Sequence, residues 1–294
     1  MDLWPTVTRQ RFIVRTCACL GAAAIAIAAS QPSWAQDVGT TIDAGRSGDA
    51  GIGPGAGPSD RLSFTLGAVA ALVPDYEGSE DYEFVAGPLL RVQRGPQFVA
   101  LRGLKLTSNV LPEPNWRFGP VLNYRGERDD VDNDAVDDLS DVDAAFEIGL
   151  TAGYEAPLAG GMAGVNVEYL VDVTDGHDGW LLTPSVDYGG PISQRLRGSV
   201  ELSTTYASDD YMQSYFGINA GDAARSGLSQ FNADEGFKDV GLSGALFYSL
   251  TDRWSVGALG SWTLLVDDAA DSPVTDDEGD ENQFFGGLLL TYSW

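Results

Sequence analysis

Thiols, imidazoles and bases are scarce in this 294-residue chain, and each shortage removes a class of function. Its two cysteines, Cys17 and Cys19, sit in an apolar stretch, Cys17 to Ser30, that follows Arg9, Arg11 and Arg15. Ser33-Trp34-Ala35 ends the stretch with a small-x-small cleavage signal, and neither cysteine follows the small-residue box of a lipoprotein signal. The run is too short to cross a bilayer as a helix, so residues 1–35 read as a secretory signal peptide and Gln36 as the first mature residue. The mature chain then has no thiol, which excludes disulfides, cysteine redox chemistry and cysteine-held metals. Bases are outnumbered: 17 Lys and Arg face 43 Asp and Glu, a net charge of −26. Without the leader's three Arg and Asp2 the balance is 14 against 42, or −28. Nucleic acid is excluded as a partner, because that affinity comes from Lys and Arg meeting phosphate.

What is present is alternation. Residues 36–60 hold Gly, Pro, Asp, Ser and Thr with little to bury, and read as a disordered lead-in. From 61 onward, apolar and polar residues alternate with period two. In Arg195 to Tyr206, Leu196, Val200, Leu202 and Tyr206 face one way; Arg195, Arg197, Ser199, Glu201, Ser203 and Thr205 face the other. Val165, Val167, Tyr169, Val171 and Val173 oppose Asn166, Glu168, Asp172 and Thr174 in the same manner. A soluble sandwich produces this pattern too, so strand length and aromatic placement decide. Segments reach the ~9–11 residues that a tilted strand needs to cross hydrocarbon. Trp116, Tyr124, Tyr154, Trp180, Tyr188, Tyr248 and Trp254 fall near segment ends on the oily face, as an aromatic girdle does.

The expected fold is all-β, a transmembrane antiparallel up-and-down β-barrel over residues 61–294 with long acidic extracellular loops. Twelve strands are expected, at 61–72, 82–93, 97–102, 104–110, 115–126, 143–155, 162–174, 180–189, 194–207, 237–249, 252–265 and 283–294. Tight turns alternate with mostly longer loops at 73–81, 127–142, 175–179, 208–236 and 266–282, which places both termini and the short turns on the periplasmic side. An even strand count closes the sheet and removes edges that lipid cannot satisfy.

Three groups of residues stand out. The polar faces direct Arg91, Arg117, Arg125, Arg195 and Arg197 into the lumen with Glu147, Glu168, Asp172, Asp187, Glu201 and Asp239. They read as structural ion pairs filling a narrow barrel, with a selectivity region as the alternative. The longest loop opens on Asp210, Tyr211, Met212 and Gln213, continues through Tyr215 and Phe216, and reaches a helical-looking Ala220–Gly227. A connection of that length with its own aromatics is expected to fold over or into the barrel mouth. The third group is acidic: 127–142 carries eight acids against Arg128 alone, and 266–282 carries eight with no base. Solvated outer loops are the favoured reading. Asp130-x-Asp132-x-Asp134 has the opening spacing of a calcium loop, but Ala135 stands where that loop needs Gly and Asp141 where it needs Glu. Barrel enzymes need a base beside a nucleophile or acidic pair. The single histidine, His177, lies in a tight turn without a serine at neighbouring alternating positions, so no catalysis and no cofactor are expected.

Several segments resemble the MipA/OmpV outer-membrane family. They are Val73-Pro74-Asp75-Tyr76-Glu77-Gly78-Ser79, Gly87-Pro88-Leu89-Leu90 and Phe118-Gly119-Pro120-Val121-Leu122-Asn123-Tyr124-Arg125 in the first half. The second half adds Asp210-Tyr211-Met212-Gln213-Ser214-Tyr215-Phe216-Gly217, Ala224-Arg225-Ser226-Gly227-Leu228, Lys238-Asp239-Val240-Gly241-Leu242, Leu250-Thr251-Asp252-Arg253-Trp254 and Asp268-Ala269-Ala270-Asp271-Ser272-Pro273. The chain departs from common barrel endings by finishing in Tyr292-Ser293-Trp294. The resemblance implies a noncatalytic protein of the Gram-negative outer membrane, in contact with lipid and lipopolysaccharide. It further implies a scaffold joining a murein hydrolase, a lytic transglycosylase, to a murein synthase. A narrow channel for small solutes or antibiotics is the alternative.

Overall fold

The computed structural model describes residues 61–294; the expected signal peptide and the 36–60 lead-in lie outside the described residues. β-branched and aromatic residues at every second position favour extended backbone, and Gly, Pro, Asn and Asp break it. Twelve strands result: β1 Ser63–Pro74, β2 Tyr82–Arg94, β3 Gln97–Arg102, β4 Lys105–Asn109, β5 Trp116–Arg125, β6 Ala145–Leu158, β7 Gly161–Asp172, β8 Trp180–Pro191, β9 Leu196–Ala207, β10 Gly236–Ser249, β11 Trp254–Leu265 and β12 Asn282–Ser293. Each pairs antiparallel with its neighbour, and β1 closes on β12 from Thr65↔Ser293 to Leu72↔Gly286. The chain is a closed twelve-stranded barrel, as expected, and the expected strand ends hold to within three residues.

Outward side chains form the membrane face. Val200 and Leu202 are 53% and 50% exposed, whereas Glu201 between them is buried. A 12-residue strand such as β1 is about 40 Å long at ~3.3 Å per residue, and tilting by about 40° leaves a rise of roughly 30 Å, one hydrocarbon thickness. Aromatic pairs mark both rims. At the short-turn end Trp116 meets Tyr154 at 4.9 Å and Trp254 meets Tyr292 at 5.0 Å between ring centroids; at the long-loop end Trp180 stacks on Tyr206 at 5.9 Å.

β3 and β4 form a short hairpin that ends part-way up the wall, so β2 pairs with β3 only over Leu89–Arg94. Its turn residue Gly103 takes φ +56°, a left-handed conformation that favours glycine. The hairpin top delivers Arg102 and Lys105, both buried, to mid-lumen.

The lumen is not ionic all round. Val69, Ala71, Val73, Val85, Leu89, Ala245, Phe247, Leu259, Phe285 and Leu289 pack there as one buried cluster. Where this cluster sits on β1 and β10–β12 the inward residues are apolar like the outward ones, so choosing the polar face of a strand does not find the inside there, although Lys238, Asp239, Ser255, Gln283 and Thr291 on the same strands are polar and buried.

The long loops carry five short helices: α1 Asp134–Asp137, α2 Asp209–Phe216, α3 Ala220–Ser226, α4 Asp268–Asp271 and α5 Pro273–Asp276. The acidic loops are more than solvated chain. Val136 and Leu139 from one and Val274 from another bury against Tyr76 and Ile218. Asn133 Nδ2 donates to the Glu278 carbonyl at 3.3 Å, and Ser140 Oγ donates to Asp222 Oδ1 at 2.7 Å. Apolar residues thus anchor a charged cap over the barrel mouth.

Candidate functional site in the barrel mouth

The site is built from the top of β5, β6 and β10, the β7–β8 turn, the β1–β2 loop and α2. Helix α2 starts at Ser208, whose Oγ accepts the Tyr211 N–H at 3.4 Å and the Trp180 N–H at 2.9 Å, tying the helix start to β8. Tyr211, Met212, Tyr215 and Phe216 share one helical face and are all buried. Gly179 lets that face descend: a Cβ there would lie 2.6 Å from the Tyr211 nitrogen. Of the expected plug residues, Asp210 is exposed above, and Gln213 accepts the Ala233 N–H at 3.3 Å. The segment expected as a loop is a helix whose aromatic side roofs the lumen.

Beneath the roof lies a chain of charges. Glu147 is fully buried on β6; its Oε1 accepts from Arg125 Nε at 3.0 Å and its Oε2 from Asn123 Nδ2 at 2.6 Å. The Arg125 guanidinium faces the Tyr211 and Tyr215 rings at 4.9 and 5.5 Å. The Tyr211 hydroxyl donates to Glu77 Oε2 at 2.8 Å, and Glu77 Oε1 pairs with Lys238, which reaches Asp239 Oδ2 at 2.7 Å. One connected system therefore joins loop, helix and three strands.

Electrostatics in the cap follow from burial and pairing. Burial would raise the Glu77 carboxyl, but Lys238 and Arg125 override it and hold its pKa below the ordinary 4.5. Burial pushes the Tyr211 phenol well up despite Arg125, and Tyr76 rises to about 12 for the same first reason. Both phenols stay neutral hydrogen-bond donors at neutral pH.

Several groups were missed or misplaced from the sequence. His177 is not merely a turn residue: it is 2% exposed, its Nδ1 accepts the Gly179 N–H at 3.0 Å, and Nε2 therefore donates to Glu147 Oε1 at 2.9 Å. Asp172 is not a lumen ion-pair partner. Its Oδ2 accepts the backbone N–H groups of Gly176, His177 and Asp178 at 2.7, 2.8 and 3.1 Å, and this turn is what inverts His177. Arg195 lies in the 192–195 turn, exposed, because β9 begins at Leu196. Lys238 and Asp239 both face inward because a bulge at Phe237/Asp239 shifts the register. Lys105, which meets Glu168 at 2.6 Å, and Glu155, which takes a bidentate pair from Arg117 at 2.6 and 2.7 Å, have lumen parity that could have been read. Lys105 and Lys238 are the only lysines in the chain, and both are buried in the lumen.

The remaining expected charges do face inward. Arg91 lies 4.1 Å over the Phe98 ring, and buried Asp187 and Glu201 are register partners beside Arg197 on β9. The calcium spacing does not close. Asp130 takes a left-handed φ of +55°, Asp132 N–H bonds Asp75 Oδ2 at 3.1 Å, and Asp134 starts α1. Among the described residues no group of three or more His, Cys, Asp or Glu is placed to hold a metal ion.

Against known proteins, the model of the family described as MltA-interacting protein MipA matches residues 66–294. The chain belongs to the MipA family. With the closed barrel and its apolar belt, MipA-family membership makes this a Gram-negative outer-membrane protein. No curated protein matches the chain. Among solved structures it is similar to an outer membrane channel from Pseudomonas putida F1 at 10% identity, covering 83% of this chain and 98% of that one with a TM-score of 0.44. OmpT of Vibrio cholerae gives 9% identity, 80% and 97% coverage and 0.36; OprD from Pseudomonas aeruginosa gives 10%, 81%, 95% and 0.29.

Proposed function

We propose that this chain is a noncatalytic outer-membrane scaffold whose periplasmic face brings a murein hydrolase together with a murein synthase. The observation that carries the reading is the roofed lumen. Helix α2 lies across a barrel whose interior is filled by paired charges and an apolar cluster, a plan suited to a platform more than to an open pore. The family's description as an MltA-interacting protein supports an enzyme partner. Such a partner reaches the short turns at 95–96, 159–160, 192–195 and 250–253 and the 36–60 segment, while α2 lies on the opposite side by strand parity. The acidic outer loops, bridged by divalent cations, suit contact with phosphate-rich lipopolysaccharide. Catalysis has no part in the reading, since both nitrogens of His177 are engaged.

The test is a pull-down from detergent-solubilised envelopes with tagged protein. Murein hydrolase and synthase should co-purify, and should still do so after deletion of Tyr211 to Gly227. Loss of both partners from the intact protein would sink the scaffold. The competing reading, a narrow solute channel, is favoured by a polar cavity of about 120 Å³ under α2. In planar bilayers the scaffold predicts low conductance that rises on the same deletion. High conductance of the intact protein, with ion selectivity altered by Arg197→Glu, would replace the scaffold by the channel.

A further inference from the structure

The two ends of the barrel differ in the sign of their charge, and the scaffold reading makes no use of the bases. Acids crowd the long-loop end, where 127–142 holds eight against Arg128 alone. At the short-turn end four exposed arginines lie on one arc of adjoining strands: Arg195 before β9, Arg253 before β11, Arg61 before β1 and Arg94 at the end of β2. Among the described residues the acids on that arc are Asp252 and the carboxylate of Trp294 at the end of the sequence. Asp60 adjoins Arg61 in the sequence and offsets it, which leaves Arg94, Arg195 and Arg253 to set a positive sign.

Depth identifies what these bases face. Outward parity runs Leu90, Val92, Arg94 along β2, so Arg94 extends a lipid-facing row by one step, while Arg91 and Gln93 turn inward and are buried. One step nearer the membrane centre, Phe64 pairs with Val92 and begins a continuous run of rings across β1, β12 and β11. Phe64 stacks on Trp294 at 5.7 Å, Trp294 meets Tyr292 at 5.7 Å, and Tyr292 meets Trp254 at 5.0 Å. Such rings mark where hydrocarbon gives way to headgroups. Arg253 Nη1 donates to the Tyr292 hydroxyl at 3.1 Å, which holds its guanidinium against the outward side of the wall. A polymer or protein arriving through water meets the turns end-on, whereas a lipid phosphate lies beside them at this depth. Guanidinium forks match phosphate oxygens, and a lipid of net negative charge brings no ammonium to repel them. We propose that the rim from β9 to β2 is a docking surface for anionic phospholipid, with phosphates on Arg94 and Arg253 and acyl chains against the run of rings. The sidedness in the scaffold reading decides only which leaflet supplies the lipid.

The experiment titrates protein purified from outer membranes into detergent with phosphatidylglycerol, or with phosphatidylcholine of the same acyl chains, and counts bound lipid by native mass spectrometry. Phosphatidylglycerol should bind about fivefold or more the tighter. Arg94→Gln and Arg253→Gln should each weaken it about fivefold, the contribution of one base beside an anionic lipid, and leave phosphatidylcholine unchanged. Arg225→Gln, on the long-loop cap, should alter neither. If one rim variant does not recover the heat-modifiable barrel form, the other decides. Equal affinity for the two lipids would overturn the proposal, as would rim variants that bind phosphatidylglycerol as the parent does. A loss on Arg225→Gln as large as theirs would mean diffuse attraction and overturn it as well. Displacement of phosphatidylglycerol by soluble murein fragments would reassign the rim to murein, with the same consequence. Co-purification of murein enzymes does not depend on this titration, so the scaffold and the lipid site can each fail alone.

Discussion

The two flanks of the lumen solve the same filling problem with opposite chemistry. Where β10–β12 meet β1 and β2, Val69, Leu89, Phe247, Phe285 and Leu289 interdigitate as in the core of a soluble protein. Across β3–β9 the inward groups are Arg102, Lys105, Arg125, Glu147, Glu155, Glu168, Asp187 and Glu201. An apolar cluster is satisfied by contact alone, and its fit tolerates partial repacking. A buried ionic chain holds only if every charge keeps its partner, so one deletion propagates along it. The cavity under α2 borders both flanks, with Lys105, Asn123, Arg125 and Glu168 on one side and Lys238, Asp239, Thr263 and Gln283 on the other.

The comparison is tested most severely at Glu147. Glu147→Ala leaves Arg125 and His177 buried without their shared carboxylate. A loss of about 3–5 kcal/mol is expected, read as the shift in urea midpoint for loss of the heat-modifiable band. On the apolar flank, Leu289→Ala should cost about 2–5 kcal/mol through a cavity, without altering how α2 is held. Limited proteolysis in the 208–236 loop separates the two: faster cleavage is expected for Glu147→Ala and an unchanged rate for Leu289→Ala. Equal loosening by both would show that the flanks are not independent.

A third substitution sets lumen against lipid on one strand. Val200 points outward and Ser203 inward on β9. Val200→Arg should cost about 2–4 kcal/mol near the bilayer midplane and block assembly, whereas Ser203→Arg enters a lumen already rich in carboxylates and should be tolerated better. Assembly is scored by the unboiled gel shift. Matching defects would show that the inside-outside phase of β9 is inverted.

Legibility in the sequence follows the same division. On the ionic flank, strict alternation in β7 and β9 assigned Glu168, Glu201 and Arg197 to the inside, because only one face of those strands can meet lipid. On β1 and β12 both faces are apolar, so alternation located the strands but could not show that Val69 and Leu289 form a core. The single inserted residue at Phe237/Asp239 turns Lys238 inward against the parity of its strand, and no local pattern marks a bulge. Glu77 and His177 were invisible for another reason. They lie in loops, and their roles depend on partners at sequence separations of 161 for Lys238 and 30 for Glu147. Helix α2 was legible only as an aromatic loop bound for the mouth, since eight residues with β-prone Tyr and Phe carry little helical signal and are held by docking.

The smallest expected effect isolates the latch between α2 and the barrel. Tyr211→Phe removes one hydroxyl donor to Glu77 but leaves Lys238 on that carboxylate, so the cost falls at the low end for a charge-assisted bond, about 1.5 kcal/mol. The same carboxylate makes the latch sensitive to acid. Glu77 has a folded-state pKa below its ordinary 4.5, because Lys238 and Arg125 outweigh the burial that opposes ionisation. A depressed carboxyl contributes stability that is complete above the unfolded value and is lost as pH falls through the folded one. The latch should therefore hold unchanged from pH 8 to about 5 and loosen below 4.5. A fluorophore on Ser214→Cys, in a mature chain expected to have no other thiol, reads this as falling anisotropy. Glu77→Gln should give low anisotropy at every pH. A parent protein whose anisotropy falls as pH rises would reverse the sign and remove Glu77 from the latch.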